Sequence, residues 1–308
     1  MGAKRYLDTL LSDGTFRFDR LSIAGIDNEP VARIFSDKVL EQEICLLARD
    51  IKNGDDYLTL LSTRLMQAMQ NKSPLPVVRF ADGEYAFYNY TLDCNGLYRQ
   101  AESVSAIREA IPRHAAALHD LSLHGLLAPL VYPGNSHLRR SGLRALFGKK
   151  PDSGGADFLE FLSRQTIALT TANYVPFYAT YAYLTSAAFA DMMNGRHLVI
   201  LNSDFNEASC RNWFARLNSR PDITFVPIPP EYVATRWDSM KKDVLSQVPP
   251  HADLCLTGAG VGALLICRDV AQTFSIPAVD AGHVLNMMND RVDKSNGARL
   301  YTLRKGHE

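Results

Sequence analysis

The sequence predicts an α/β fold: a Rossmann-like, mainly parallel sheet with helices on both faces, preceded by an N-terminal helical extension. Between residues 166 and 280, short apolar runs alternate with longer amphipathic patterns. Such alternation is typical of parallel strands joined by right-handed helical crossovers. A further apolar run, residues 75–80, follows a helical pattern that ends at Pro74. We therefore assign residues 1–70 to the extension and residues 71–308 to a Rossmann-type domain.

In residues 1–70, a first stretch with weak hydrophobic periodicity is followed by two helical patterns. Phe16 and Phe18 predict a small hairpin or an extended arm within residues 1–35. Apolar residues spaced by three or four predict two helices on either side of Asn53: Leu40, Ile44, Leu47 and Ile51 in the first, and Leu58, Leu61, Leu65 and Met69 in the second. These helices either cap the sheet or form the surface of a homodimer, and the pattern leaves both alternatives open.

Strands and helices are predicted in turn along the rest of the chain. Apolar runs bounded by turn residues predict strands at 75–80, 126–131, 166–171, 197–201, 223–228, 254–257 and 277–280. Helical spacing predicts helices at 103–121, 176–193 and 231–248, a helix that contains Trp213, Phe214 and Leu217, and a turn and helix at 258–274. Residues 151–155 predict a flexible connector. The segment 135–150 before it is densely basic, and it is either a solvated helix face or a contact for an anionic ligand.

Composition limits the classes of protein to which the chain can belong. The 308 residues are 46% hydrophobic, which is enough for a sizeable core. There are 33 Lys and Arg residues and 33 Asp and Glu residues, and this balance predicts no nucleic-acid partner. No apolar run reaches the roughly 18 residues of a membrane span, so we expect a cytoplasmic protein without a transmembrane segment. The five cysteines lie in apolar patterns and are expected to be buried, reduced thiols.

Two carboxylates follow the strand predicted at residues 75–80. Asp82 and Glu84 flank Gly83, and Asp82-Gly83 predicts a turn at the carboxyl end of that strand. Both carboxylates of such a turn can bind one hard cation, and the pair suits Mn²⁺ or Mg²⁺ that bridges two phosphate oxygens. Arg79 could add a second positive charge for a diphosphate. The structural alternative is an ordinary turn in which Glu84 pairs with an arginine at the surface.

Aromatic residues are concentrated immediately after this motif. The group is Tyr85, Phe87, Tyr88, Tyr90 and Tyr98. Rings beside a metal site could stack on a base or a sugar, although at this density most are expected to pack in the core.

Parallel connectivity should assemble one crevice from distant parts of the chain. The carboxyl ends of parallel strands meet at the same edge of a sheet, where open α/β folds bind their ligands. We therefore expect Asp82, Asn173, Asn202, Gly258 and Asp280 to lie close together.

A glycine-rich loop, residues 257–263, joins a predicted strand to a predicted helix. Gly258, Ala259 and Gly260 would let an anion reach free N–H groups at the helix start, so we predict that they bind a diphosphate together with Asn202. The same loop fits the dinucleotide fingerprint G-x-G-x-x-A, with Asp280 about twenty residues further on. That alternative needs a permuted topology and leaves Asp82 without a role.

The segment Asp280-Ala281-Gly282-His283 ends the last predicted strand. His283 could accept a proton from an acceptor hydroxyl or support the metal. Asp280 could fix the tautomer of His283 or bind the ligand itself. The alternative is a histidine that caps the start of a helix.

Three stretches in this order resemble the glycosyltransferases of the GT-D fold: Arg79-Phe80-Ala81-Asp82-Gly83-Glu84, the loop 257–264, and Ala278-Val279-Asp280-Ala281-Gly282-His283. That family has a DxE metal motif within an RFGDGE-like strand end and a closing A-x-D-x-G-H. The resemblance covers about residues 72–290, and Ala81 stands where the family usually has glycine. It implies a Rossmann-like catalytic domain, a nucleotide-diphosphate sugar donor, and Mn²⁺ or Mg²⁺ held by Asp82 and Glu84.

The leading hypothesis is therefore a metal-dependent glycosyltransferase of the hexosyltransferase type. Its donor would be a nucleotide-diphosphate sugar, with a UDP-sugar favoured, and its acceptor a glycan, a lipid-linked saccharide or a glycoprotein. His283, or a carboxylate such as Asp280 or Glu84, would accept the acceptor's proton. Two alternatives remain: a dinucleotide-dependent Rossmann enzyme that uses residues 258–263, and a non-catalytic nucleotide-sugar-binding module.

Overall fold

The computed structural model describes residues 5–24, 44–95, 98–135 and 154–291. Within these residues the strands form two sheets. The small sheet pairs β1 (Phe16–Arg20) with β2 (Ile44–Ala48) in antiparallel register. The large sheet consists of β3 (Leu75–Phe80), β4 (Leu126–Pro129), β5 (His197–Asn202), β6 (Asp222–Pro227), β7 (Leu254–Gly258) and β8 (Pro277–Asp280).

Helices connect these strands. They are α1 (Tyr6–Ser12), α2 (Gly54–Asn71), α3 (Asp82–Tyr88), α4 (Val104–His124), α5 (Gly154–Arg164), α6 (Phe177–Leu184), α7 (Ala187–Met193), α8 (Glu207–Arg216), α9 (Val233–Leu245), α10 (Ala263–Phe274) and α11 (His283–Met288). Side-chain caps determine where the long helices begin. Asn53 Oδ1 accepts the N–H of Asp56 at the start of α2, and Ser103 Oγ accepts the N–H of Ala106 at the start of α4.

The strand order of the large sheet places the last strand in the middle. The order is β4-β3-β8-β7-β5-β6, and every pair is parallel. The register sets Asp280 beside Thr257, and Gly258 beside Asn202. The carboxyl ends of β3, β8, β7 and β5 therefore meet at one edge of the sheet.

Helices cover both faces of this sheet. All six residues of β3 are buried, and successive side chains of a strand point to opposite faces, so neither face is open to solvent. Helices α2 and α6 pack against β3 and against each other. Helices α4 and α10 also pack against β3 and against each other, and α9 packs on both of them. The predicted Rossmann-like α/β architecture is confirmed.

The described part of residues 1–70 packs against the same hydrophobic core. Helix α1 packs against α5, and α2 packs against β3 and β8. The N–H of Leu46 on β2 donates to the carbonyl of Val131 at 3.0 Å. Buried residues from Leu7 to Met288 form one continuous hydrophobic cluster. The division of the chain at residue 70 stays a prediction.

Two expectations drawn from composition have structural counterparts. All five cysteines are buried and carry free thiols, as predicted. Burial raises the pKa of the Cys255 thiol to about 12, which makes it unreactive near neutral pH. Among the helices of the described segments, none is both long enough and apolar enough to cross a membrane.

Residues 44–48 form a strand, and the helix predicted from residue 37 is wrong over this part. Strand β2 pairs with β1, so the partner of the strand at Phe16 and Phe18 lies beyond residues 1–35, where the hairpin or extended arm is predicted. Four consecutive residues of β2 are buried. A short apolar run of this kind contains residues at helical spacing by chance, so periodicity alone does not separate it from a helix. Residues 37–43 of the predicted helix lie outside the described residues.

Residues 166–171 do not form the predicted strand. Thr166 has a φ of 58°, which interrupts an extended chain, and in this region Tyr174 makes only an isolated bridge to Leu127. The helix predicted at 176–193 is divided into α6 and α7. Ser186 divides it by accepting the N–H of Phe189 as an N-cap.

The predicted connector at 151–155 overlaps a helix. Gly154 and Gly155 are the first residues of α5, and Gly155 lies so close to Asn135 that a Cβ there would approach its side chain to 2.9 Å. Apart from Asn135, the basic stretch 135–150 lies outside the described residues.

His114 in α4 gives the fold a testable pH dependence. Its ring is fully buried, with Nδ1 3.1 Å from the Tyr88 hydroxyl and Nε2 2.9 Å from the Ala234 carbonyl. Burial lowers the pKa of His114 from 6.5 to about 4. Between these two pH values the unfolded chain binds a proton that the folded chain does not, so stability falls as the pH falls.

We expect protonation of His114 in the unfolded chain to reduce the free energy of unfolding by up to about 3 kcal/mol at pH 4 relative to pH 7. One pKa unit corresponds to about 1.4 kcal/mol. In His114→Gln that contribution should be absent, so the stability difference between wild type and variant should shrink as the pH falls from 7 to 4. Urea unfolding at several pH values measures it. His119→Gln, at an exposed position of the same helix, is the control, and an equal pH dependence in all three proteins would contradict the prediction.

Candidate functional site

A cavity of about 470 Å³ lies at the carboxyl edge of the large sheet. Its volume is in the range of small-molecule sites. Residues from β3, β4, β5, β7 and β8, or from the loops that follow them, line it. The residues predicted for the site that line this cavity are Arg79, Asp82, Glu84, Asn202, Gly258, Ala259, Gly260, Asp280 and His283. The sheet topology therefore brings together residues that are up to about 200 positions apart.

A buried ion pair forms the floor of the cavity. Arg79 Nη2 lies 3.0 Å from Asp280 Oδ1, and Arg79 Nε donates to the Asp280 carbonyl at 2.8 Å. The backbone N–H of Arg79 donates to Asp280 Oδ2 at 3.2 Å. Only 6% of Arg79 and 4% of Asp280 are exposed. Both carboxylate oxygens of Asp280 therefore accept hydrogen bonds from Arg79. The roles in proton transfer or ligand binding that the sequence predicts for Asp280 stay predictions.

Aromatic rings and a glycine hold the Arg79 guanidinium in place. Its carbon lies 5.2 Å from the centroid of the Phe177 ring and 4.7 Å from that of Tyr181, at distances typical of cation–π contacts. Gly282 has a φ of 38°, and a Cβ there would lie 1.9 Å from Arg79 Nη2. Burial alone would favour loss of the proton from Arg79, but the Asp280 carboxylate outweighs it and raises the pKa of the guanidinium.

Asp82 and Glu84 lie in the first turn of α3, so the turn predicted at Asp82-Gly83 is in fact the start of a helix. Acidic side chains in this position are stabilised by the helix dipole. Asp82 is exposed and Glu84 half-buried, and both line the cavity. Glu84 Oε2 accepts the N–H of Ala81 at 2.8 Å, which caps the helix.

The Glu84 carboxyl group has an unusual acidity. Burial raises its pKa to about 7; the Ala81 N–H opposes this shift, and the charge of Asp280 adds to it. A substantial fraction of Glu84 is therefore protonated at neutral pH. Perturbed carboxyl groups of this kind are concentrated at functional sites.

The glycine-rich loop after β7 has the predicted shape, but some of its N–H groups are occupied. Gly260 has a φ of 51°, which favours glycine. The N–H of Val261 donates to Gln100 Oε1 at 3.0 Å, and that of Gly262 to the Ala259 carbonyl at 3.1 Å. Helix α10 begins only at Ala263. The part of the loop that faces the cavity is therefore Gly258 to Val261, and less of its backbone is available to an anion than the sequence predicts.

The two asparagines expected in the crevice have different positions. Asn202 is 7% exposed and lines the cavity, and a Cβ on Gly258 would approach its Oδ1 to 2.8 Å. Asn173 is bonded instead to the carbonyls of Ser122 and Ala168, and its own carbonyl accepts the N–H of Leu127. Because Leu127 is near the start of the parallel strand β4, Asn173 lies away from the carboxyl edge.

His283 is the first residue of α11 and lines the cavity beside Gly282. Burial lowers its pKa from 6.5 to about 4, and the nearby charge of Arg79 acts in the same direction. The imidazole is therefore neutral at physiological pH and able to accept a proton. A negatively charged ligand in the cavity would raise this pKa.

The donor atoms at the cavity fit a hard divalent cation. Asp82 and Glu84 offer carboxylate oxygens, which Mg²⁺ and Mn²⁺ prefer. In the parts of the chain that the structure describes, no group of three or more His, Cys, Asp and Glu side chains could hold a metal alone. A cation bound by these two carboxylates would need further oxygen ligands, such as phosphate and water. A structural zinc site has four protein ligands, and these two carboxylates do not form one.

Several cavity residues carry no signal in the sequence analysis. Gln100 supports the glycine loop, and Phe177 stacks on Arg79. Tyr232 lines the cavity, and its backbone N–H donates to the Arg99 carbonyl at 2.8 Å. Of the aromatic group after the motif, Tyr85, Phe87 and Tyr88 are buried in the core, Tyr90 is exposed, and Tyr98 lines the cavity. A positive φ of 63° at a tyrosine, Tyr232, is visible only in the structure.

Comparison of the fold finds two similar solved structures. One is described as the selenomethionine-substituted structure of a domain of unknown function, DUF1792, and the other as that highly conserved domain with a distinct glycosyltransferase fold. Each is 15% identical to this chain, with a TM-score of 0.45, and the alignment covers 83% of this chain and 96% of the other. At this level of likeness the comparison assigns neither residue roles nor an activity to this chain.

Sequence comparison adds no assignment. No protein-family model matches the chain, and no curated protein sequence does.

The contact between Gly282 and Arg79 gives a prediction for the stability of the site. Gly282→Ala should lower the free energy of unfolding by about 3 kcal/mol or more, because the added Cβ displaces Arg79 and separates a buried ion pair. Thermal or urea unfolding measures the change. Gly83→Ala is the matched control, since a Cβ there has nothing within 4 Å and should leave stability unchanged or slightly raised. Equal stabilities of the two variants would contradict the contact.

Proposed function

We propose that this protein is a metal-dependent glycosyltransferase that uses a nucleotide-diphosphate sugar. The observation that carries the proposal is the meeting of Asp82 and Glu84 with the Gly258–Gly260 loop in one cavity. The carboxyl groups of Asp82 and Glu84, which suit a cation, line the same cavity as the Gly258–Gly260 backbone, to which a phosphate could bind closely. Because Arg79 is paired with Asp280, the side chains of Asp82 and Glu84 remain beside the place where a diphosphate would bind. An anionic diphosphate would therefore need a cation to bind beside them.

Asp82 and Glu84 would hold Mn²⁺ or Mg²⁺ in this proposal. When bound, the cation would neutralise the charge that develops on the leaving diphosphate. Gly258, Ala259 and Gly260 would contact the diphosphate through the backbone, with Asn202 beside them. Arg79, fixed by Asp280, would contribute positive charge from the cavity floor. Glu84 is thus assigned to the metal, and Asp280 to the positioning of Arg79.

His283 is the proposed base of the transfer. The acceptor's hydroxyl oxygen forms a bond to the anomeric carbon of the sugar, and the bond from that carbon to the diphosphate oxygen breaks. The electron pair of the broken bond leaves with the nucleoside diphosphate, and the hydroxyl proton passes to the neutral imidazole. The low pKa of His283 keeps it unprotonated before the reaction. The acceptor, a glycan, a lipid-linked saccharide or a glycoprotein, belongs to the same proposal.

The contacts of Asp280 argue against the dinucleotide alternative. In that arrangement the acidic residue after the second strand must bind a ribose hydroxyl. Here both of its oxygens hold Arg79 and the residue is 4% exposed. The alternative of a non-catalytic nucleotide-sugar-binding module shares the same cavity, and measurements on His283 separate the two.

The proposal first predicts metal-dependent binding at the donor site. Wild-type protein should bind one of the UDP-, GDP- or dTDP-sugars in the presence of Mn²⁺, and EDTA should abolish the binding. Asp82→Asn should weaken this binding by roughly 100-fold or more, because it removes the charge of a proposed metal ligand. Isothermal titration calorimetry measures the affinities.

Asp243→Asn, at an exposed aspartate of α9 outside the cavity, is the matched control and should bind like wild type. Metal-independent binding of NAD(H), with no response to any sugar nucleotide, would overturn the proposal.

A second prediction concerns proton transfer. His283→Ala should lower the turnover number by about 10²- to 10⁴-fold, the usual contribution of a general base, and should leave donor affinity within a few-fold of wild type. Steady-state kinetics beside calorimetry tests both parts. An unchanged turnover number would remove His283 from the mechanism, and wild-type protein that binds donor but transfers sugar to no glycan acceptor would favour the binding module.

A further inference from the structure

We propose that the nucleobase of the donor binds on the β7 side of the cavity, between Tyr98 and Tyr232. This inference rests on the proposed function and says which part of the same cavity the base occupies. The β7 side consists here of Tyr98, Tyr232, Gly260 and Asn286; the β4 side consists of Leu130, Tyr132, Phe177 and Tyr178.

Hydrogen bonds between segments of the chain define the β7 side. The N–H of Tyr232 donates to the Arg99 carbonyl at 2.8 Å, which places the two tyrosines on neighbouring segments. Gln100 Nε2 donates to the Tyr98 carbonyl at 3.2 Å, and its side chain lies against Gly260. Asn286 Nδ2 donates to the Tyr98 hydroxyl at 3.3 Å. These segments therefore form one wall next to the glycine loop.

The β4 side is separated from this wall by the width of two strands. Leu130 follows β4, and its N–H donates to the Phe80 carbonyl at 2.8 Å. Phe177 stacks on Arg79 and contacts Tyr178 edge to face. Strands β3 and β8 lie between β4 and β7 in the sheet order. Asp82, which follows β3, therefore lies between the two sides.

Ring exposure favours Tyr98 and Tyr232 over Phe177 and Tyr178 as stacking partners. A base stacks on an aromatic ring only where a face of that ring is accessible. Tyr98 and Tyr232 are half-buried and line the cavity, whereas Phe177 is 6% and Tyr178 1% exposed. Arg79 lies over the Phe177 ring, and Arg236 lies over one face of the Tyr232 ring, 5.1 Å from its centroid. A base would therefore stack on Tyr98 and on the other face of Tyr232. Tyr132 on the β4 side is half-buried and serves as the comparison.

Hydrogen-bonding groups and the backbone favour the same side. A base needs donors and acceptors at its edge, and on the β7 side the amide of Asn286 lies next to the Tyr98 hydroxyl. Tyr232 keeps a left-handed backbone, φ 63°, at a position where glycine or asparagine would be less strained. The diphosphate would then lie at Gly258–Gly260, between the base and Asp82.

The test separates binding of the base from binding of the diphosphate. Calorimetric titrations in Mn²⁺ use UDP, GDP, dTDP, CDP and ADP, beside inorganic pyrophosphate. Tyr98→Ala and Tyr232→Ala should each weaken the best nucleoside diphosphate by roughly 5- to 100-fold, the effect of losing one stacked ring. Both variants should bind pyrophosphate like wild type. Tyr132→Ala should bind both ligands like wild type.

Other results overturn one proposal or both. Nucleoside diphosphate binding that survives in Tyr98→Ala and Tyr232→Ala, or that is lost in Tyr132→Ala, would overturn the base subsite and leave the proposed function intact. Equal losses for nucleoside diphosphate and pyrophosphate would also overturn it. Wild-type protein that binds neither ligand would contradict the proposed function as well.

A second variant protects the test against misfolding. Tyr98→Trp keeps an aromatic ring, and its fluorescence should change when the nucleoside diphosphate binds and stay constant with pyrophosphate. An equal response to both ligands would overturn the base subsite.

Discussion

The ion pair between Arg79 on β3 and Asp280 on β8 connects two parts of the sheet that come from opposite ends of the described chain. Strands β3 and β4 lie on one side of β8, and β5, β6 and β7 on the other. Three hydrogen bonds between the two residues secure this junction at its carboxyl end, where the cavity lies. A buried charge is tolerated only when it is paired. The arrangement of the site therefore depends on this pair.

The same pair affects the electrostatics of the cavity. Burial raises the pKa of Glu84 to about 7; the charge of Asp280 adds to this shift, and the charge of Arg79 opposes it. A cation would lower that pKa and balance the acids, so the electrostatics of the site and the proposed metal are mutually consistent.

Much of the layer architecture could be predicted from patterns of residues. The strands β3, β5, β6, β7 and β8 coincide with apolar runs whose ends are marked by turn residues. Errors occurred where a pattern was compatible with two structures. Residues 44–48 have helical spacing and are nevertheless a strand, because their hydrogen-bonding partner, β1, is remote in sequence. Residues 166–171 have strand composition and find no partner strand.

The sequence by itself determined the alternation of strands and helices and the meeting of Asp82, Gly258 and Asp280 at one edge, since parallel connectivity leaves no other place for strand ends. Only the tertiary structure decided what each side chain does there. Asp280 holds Arg79, Gln100 occupies an N–H of the glycine loop, and Tyr232 joins Tyr98 in one wall. These roles depend on contacts between segments more than a hundred residues apart, and local patterns contain no information about such contacts.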